Sequence, residues 1–125
     1  MPFNKIAILL SAILITPGAF AYERLCNLSD VKVIAEDGTF LGNLNGQFDS
    51  KSIFNEFGHG SEFRSESVWN EFGSYGSEFA SESVMNEFTS TPPMLIRGGK
   101  VVGYLTMNSN LDGAINPKIL KAHCM

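Results

Sequence analysis

Apolar and polar positions alternate in two short stretches of the chain, and the residues between them predict hairpins. Val31-Lys-Val-Ile-Ala35 runs into Glu36-Asp37-Gly38 and continues as Thr39-Phe-Leu-Gly-Asn-Leu44. Asp-Gly between β-rich runs is a strong hairpin signal, because such turns need residues that accept positive φ. The pattern returns at Met94-Leu-Ile-Arg97, Gly98-Gly99 and Lys100-Val-Val-Gly-Tyr-Leu-Thr106. Aligning Gly38 with Gly99 places Phe40 on Val101, Leu41 on Val102, Gly42 on Gly103, Leu44 on Leu105 and Asn55 on Asn116. Period-two spacing sets Phe40, Gly42 and Leu44 on one strand face, and Val101, Gly103 and Leu105 on another. A glycine in mid-strand predicts a bulge or the close approach of another backbone. Pro92-Pro93 cannot enter a central strand and marks a junction.

Between the hairpins one unit recurs three times over residues 49–91. Asp49-Ser-Lys-Ser-Ile-Phe-Asn-Glu-Phe57 is followed by Gly58-His-Gly-Ser-Glu-Phe63. Ser65-Glu-Ser-Val-Trp-Asn-Glu-Phe72 is followed by Gly73-Ser-Tyr-Gly-Ser-Glu-Phe79, and Ser81-Glu-Ser-Val-Met-Asn-Glu-Phe88 by Thr89-Ser-Thr. Asp49, Ser65 and Ser81 are good helix N-caps. Gly58 and Gly73 stand where a left-handed C-cap belongs. Each unit therefore reads as a short helical turn, too short to be stable without its neighbours. In that reading Ile53/Phe57, Val68/Phe72 and Val84/Phe88 are i, i+4 pairs on one buried face, and Phe63 and Phe79 anchor the chain's exit. The asparagines at 55, 70 and 86 are expected to satisfy loop backbone groups, and the glutamates to form a solvated outer face.

The cadence Asn70-Glu-Phe-Gly-Ser-Tyr-Gly-Ser77, with the flanking Gly-x-[Phe/Val]-[Leu/Val]-Gly-x-Leu hairpins, resembles small exported bacterial proteins carrying tandem Asn-x-[Phe/Tyr]-Gly-x-Tyr-Gly-Ser repeats. The likeness covers about residues 33–107. It implies secretion and a repeat-bearing domain; it brings no activity and no site residue. Two departures stand out: His59 sits near the usual tyrosine, and the first unit is one residue short.

The N-terminus changes the picture by adding a compartment. Lys5 precedes the apolar run Ile6 to Ile15; Pro17 and Gly18 break it, and Ala19-Phe20-Ala21 fits small-x-small cleavage. This is the layout of a secretory signal peptide over residues 1–21, and the run is too short to span a bilayer comfortably. Cleavage after Ala21 leaves residues 22–125 as one exported domain: hairpin 31–46, repeats 49–91, hairpin 94–107 and a C-terminal segment 108–125. Two cysteines remain, Cys26 and Cys124. In an oxidising compartment they are expected to pair, joining the ends of the domain. The formal charge of −4 argues against nucleic acid or an anionic membrane surface as partner.

Chemical equipment is sparse. His59 lies in Gly-His-Gly, expected on an exposed turn, and His123 near the C-terminus; neither belongs to a nucleophile–base–orienter set. Gly60-Ser-Glu62 and Gly76-Ser-Glu78 are not nucleophile elbows, and Gly98-Gly-Lys100 lacks phosphate-loop spacing. Asn108, Asn110 and Asp112, with Gly113 and Ile115, follow the opening of a calcium loop, but Ile119 stands where a bidentate carboxylate belongs. A plain turn explains these residues as well. Trp69 and Tyr75 suit either a core or a stacking platform, and burial is the commoner use. These readings sum to an α+β or mostly β domain that needs no cofactor. It is expected to act as an exported, non-catalytic structural or interaction module; the alternative is a small calcium- or ligand-binding secreted protein. No residue names the partner; another exported protein or a cell-surface component is the class that export would put within reach.

Overall fold

A computed structural model describes residues 19–125; the apolar run, Pro17 and Gly18 lie outside the described residues. Five strands form one mixed sheet in the order β2-β1-β3-β4-β5. They are β1 (Leu28–Ile34), β2 (Phe40–Leu44), β3 (Met94–Arg97), β4 (Lys100–Leu105) and β5 (Ala114–Ile115). Strand β1 pairs antiparallel with both β2 and β3, and β3 antiparallel with β4. Strand β5 alone joins in parallel, beside β4. The Arg97–Lys100 pair closes over Gly98 (φ 59°) and Gly99 (φ 78°), which is the conformation a tight two-residue turn requires.

Alternation is clean in β1, where Val31 and Val33 are buried and Lys32 is exposed. It breaks in β2. Gly42 has φ 135°, and a Cβ there would meet Ile53 Cγ2 at 2.8 Å and the Lys51 carbonyl at 2.9 Å. The glycine thus supplies both an irregular register and a close approach. As a result Leu41 and Leu44 are buried while Phe40 is only half-buried. In β4 a register shift beside Ile96 turns Val102 inward and leaves Val101 exposed. The single face expected for Phe40, Gly42 and Leu44, and for Val101, Gly103 and Leu105, is corrected by these two irregularities.

Two helices carry the ends. Helix α1 (Ala19–Arg24) contributes Tyr22 to the core, with Leu25 just beyond it; the expected cleavage position falls within α1. Helix α2 (Pro117–Cys124) starts at Asn116, whose Oδ1 accepts from the N–H groups of Lys118 (2.8 Å) and Ile119 (3.1 Å). Proline at the first helical position fits an N–H that needs no intrahelical partner. The Tyr22 hydroxyl accepts from the Asn116 N–H (2.8 Å), and Cys26 and Cys124 form a disulfide, with Cα atoms 5.1 Å apart.

Residues 49–91 contain turns, and the short helices expected there are replaced by them. From Asp49 to Gly73 every third residue donates its N–H to the carbonyl three back, as in Ser52 to Asp49 (2.9 Å), Asn55 to Ser52 (3.1 Å) and Gly58 to Asn55 (3.0 Å). The step from Ser77 back to Gly73 spans four residues, which absorbs the extra residue of the second unit. Ser52, Ser67 and Ser83 are fully buried, and each Oγ accepts the N–H two residues on, at Phe54, Trp69 and Met85. Those side-chain acceptors take the N–H groups that a helix would bond to carbonyls four residues back, so the ladder stays at period three. The glycines allow tight coiling: a Cβ on Gly60 would lie 2.3 Å from the Ile53 carbonyl, and one on Gly76 2.4 Å from the Asn70 carbonyl.

The turns pack on the sheet through Ile53, Val68 and Val84, all fully buried, with Phe54 and Trp69 beside them. The first unit joins β2 through Asn43 N–H to the Lys51 carbonyl and Ile53 N–H to the Asn43 carbonyl. The last meets the segment after β4 through Met107 N–H to the Val84 carbonyl (2.8 Å). The Tyr75 hydroxyl donates to Asp37 (2.8 Å), and the Asp37 N–H to Glu82 (2.9 Å), fixing the second and third units to the β1–β2 turn.

Candidate functional site: a row of exposed phenylalanines and glutamates

The same side-chain-capped turn that buries one residue per unit pushes others into solvent. Asn55, Asn70 and Asn86 each accept, through Oδ1, the N–H of the phenylalanine two residues on, at 2.8–2.9 Å. Ser61 and Ser77 do the same through Oγ for Phe63 and Phe79, at 3.2 Å. The result is five copies of one small element, [Asn/Ser]-Glu-Phe. Phe57, Phe63, Phe72, Phe79 and Phe88 are 88–95% exposed. The expected core pairs are therefore corrected: Ile53, Val68 and Val84 point inward, but Phe57, Phe72 and Phe88 point out. Phe63 and Phe79 anchor nothing. The physical reason is the period: in a three-residue ladder, positions four apart do not share a face.

Large exposed aromatics demand an account. Five rings at about 150 Å² each put on the order of 750 Å² of aromatic surface into water. A monomeric domain seldom exposes more than a few hundred in one patch. The glutamate of each element, at 56, 62, 71, 78 and 87, is exposed beside its ring. Among the described residues the salt bridges involve Glu66, Asp30 and Glu23 and none of these five.

Open hollows of about 350–440 Å³ separate the elements. One is walled by Glu62, Phe63, Glu71 and Phe72. Another has Glu78, Phe79, Glu87 and Phe88 as walls, Met85 as floor and Lys118 at its border. Between them Trp69 and Met85 form a floor under Glu71, Glu78 and Phe79. Neighbouring hollows share side chains, so they form one continuous row. Helix α2 borders it with Lys118 and Lys121, and the Lys121 ammonium stands 5.1 Å above the Trp69 ring. Trp69 itself is core: it is buried, and its indole N–H donates to the Ile53 carbonyl (2.6 Å).

Asn70 and Asn86 serve the backbone from both ends of their amides, and Asn55 from its oxygen. Besides capping the phenylalanines, Asn70 and Asn86 donate through Nδ2 to the carbonyls of Arg64 (3.1 Å) and Ala80 (3.0 Å). Asn108, the first calcium-loop candidate, is occupied in the same manner. Its amide donates to the Thr89 carbonyl (2.9 Å) and accepts from the Asn110 N–H (3.1 Å). Asn110 and Asp112 are exposed, and no group of three or more metal-ligating His, Cys, Asp or Glu side chains occurs among the described residues.

His59 departs from the exposed turn expected for it. It is half-buried, with its ring edge-to-face against Phe40 at 5.3 Å, and its buried Nδ1 has no hydrogen-bond partner. Burial foremost, and the nearby Arg64 charge next, push it below the ordinary histidine value. His123 stacks on Tyr22, with ring centroids 6.0 Å apart.

The Glu-Phe row was missed from the sequence because apolar residues are read as core by default. The signal present was the recurrence of Glu-Phe behind a serine or asparagine, five times. No helix of the described residues is long and apolar enough to cross a membrane. Comparison with models of known families, with curated proteins and with solved structures finds no match.

Proposed function

We propose that this chain is an exported, non-catalytic interaction module whose binding surface is the Glu-Phe row. One observation carries the proposal: five nearly fully exposed phenylalanines, each fixed by a side-chain cap and each beside an unpaired glutamate. Rings kept out of the core cost solubility, and a monomer gains nothing by holding them in solvent. The sheet, the two helices and the disulfide act as the frame that holds this row rigid. The disulfide suits an oxidising compartment, as does the leader expected at residues 1–21.

The test is site-specific photocross-linking in cells that export the protein. A benzophenone amino acid replaces Phe72 in one version and exposed Lys100, on β4, in another. A discrete adduct from position 72 with none from position 100 supports the reading. Equal or absent adducts from both positions refute it. N-terminal sequencing of the recovered protein is expected to begin at Tyr22.

A further inference from the structure

We infer that the Glu-Phe row binds an extended polypeptide segment rich in arginine and lysine, an assignment that rests on the interaction reading above. The argument starts from the polar groups the row leaves free. The oxygens of Asn55, Asn70 and Asn86 are spent on phenylalanine N–H groups, as are the hydroxyl oxygens of Ser61 and Ser77. The Nδ2 donors of Asn70 and Asn86 are spent on backbone carbonyls. The Asn55 amide hydrogens and the Ser61 and Ser77 hydroxyl hydrogens are the few donors left; what projects beside every ring is carboxylate, which at neutral pH only accepts hydrogen bonds. The ligand must therefore supply most of the donors.

Charge narrows the choice. Five glutamates face outward along the row, against Lys118 and Lys121 on one border. An anionic polymer would meet like charge. So would a second copy laid face to face, which would set one glutamate row against another. A neutral sugar could stack on phenylalanine, but the side chains here offer it acceptors with few donors. A guanidinium meets every condition: it is planar, weakly hydrated, stacks on aromatic faces and forks onto carboxylates. Each hollow offers that combination, as in Glu62, Phe63, Glu71 and Phe72. Because the hollows run on from one another, the matching ligand is linear and repeatedly cationic. Lys118 and Lys121 repel such a chain along one border and so confine it to the row.

The probe is a synthetic twelve-residue peptide of alternating arginine and glycine, titrated into the mature disulfide-bonded protein and followed by fluorescence anisotropy. Its isosteric neutral form, with citrulline for arginine, is the first control. Saturable binding is expected, weakening about tenfold as salt rises from about 20 to 200 mM. The citrulline peptide is expected to bind at least about tenfold more weakly. Phe63→Ser/Phe79→Ser keeps every charge and is expected to weaken binding about tenfold. Glu62→Gln/Glu78→Gln should do the same, while Glu36→Gln in the β1–β2 turn should change nothing. Circular dichroism confirms that each variant folds, and the glutamine pair decides if the serine pair does not.

Binding that ignores the phenylalanines is generic charge attraction and overturns the inference. Equal binding of the citrulline peptide overturns it too, as does binding of a neutral oligosaccharide in preference to the arginine peptide. Self-association abolished by Phe63→Ser/Phe79→Ser would assign the row to a second copy instead. If arginine peptides fail while position 72 still cross-links in cells, the partner chemistry is wrong and the interaction reading stands. If both fail, the interaction reading falls as well.

Discussion

Opening the Cys26–Cys124 bond should cost this protein a large part of its stability. The bond ties residues 98 apart in sequence. In the chain-entropy relation, a loop of that size removes about 16 cal/mol/K from the unfolded ensemble, or about 4.7 kcal/mol at room temperature. A domain of this size has a total stability of about 5–15 kcal/mol, so the bond accounts for between a third and nearly all of it. At about 4–8 °C per kcal/mol for a chain near 100 residues, the melting temperature should fall by roughly 20–35 °C. The assay is thermal unfolding of the purified protein, oxidised against reduced, followed by circular dichroism and by the buried Trp69. Cys26→Ala/Cys124→Ala separates the cross-link from the reductant, and it should match the reduced wild type. A loss below about 5 °C in both would refute the reasoning. It would mean that the packing of α1 against α2 holds the ends together without the bond.

Further predictions follow from the turn ladder and from His59. Phe72→Ser should leave stability within about 0.5 kcal/mol, since the ring touches little, whereas Val68→Ala, four residues earlier and fully buried, should cost about 2–3 kcal/mol by urea unfolding. Gly76→Ala puts a methyl carbon 2.4 Å from the Asn70 carbonyl and 2.7 Å from the Val68 carbonyl, both backbone; a loss of about 1–3 kcal/mol is expected from the forced shift. His59 is held below its ordinary value by burial and then by Arg64, so the unfolded chain takes up its proton first as pH falls. The stability of the neutral ring is full above about pH 6.5 and declines as pH drops from there toward the folded value. His59→Gln should flatten that part of the profile between pH 7.5 and 5.5; equal losses in wild type and variant would count against it.

Local chemistry in the sequence was enough to place the turns of the sheet. Gly98 and Gly99 adopt the positive φ that two adjacent glycines suggest, and two cysteines leave one possible pairing, which the structure has. The small, mixed β-rich sheet likewise agrees with the α+β or mostly β expectation. The repeats were harder, because Ser and Asn are ambiguous: the same side chains cap helices and close two-residue turns. Here buried Ser52, Ser67 and Ser83 took the second role, and the helical reading of Ile53/Phe57 and its echoes failed with that choice. Helix α2 was not read from the sequence, where residues 108–125 stood only as a C-terminal segment; its signal was Asn116-Pro117, a cap followed by proline at the first helical position. Phe57, Phe63, Phe72, Phe79 and Phe88 escaped because apolar residues are read as core by default, and the period-three ladder that turns these rings outward is not visible in the apolar pattern alone.

The first two coils of the ladder each bring their own caps, glycines and pair of Glu-Phe elements, the third brings one such element and no glycine, and each coil sets one apolar side chain on the sheet. An in-frame duplication of the second coil would therefore lengthen the strip by two elements, and its added inward valine would need apolar cover of its own. For a linear partner, each added coil raises avidity through effective concentration rather than through any new kind of contact. Copy number thus becomes a dial on residence time, with its range set by how much sheet lies beneath the coils.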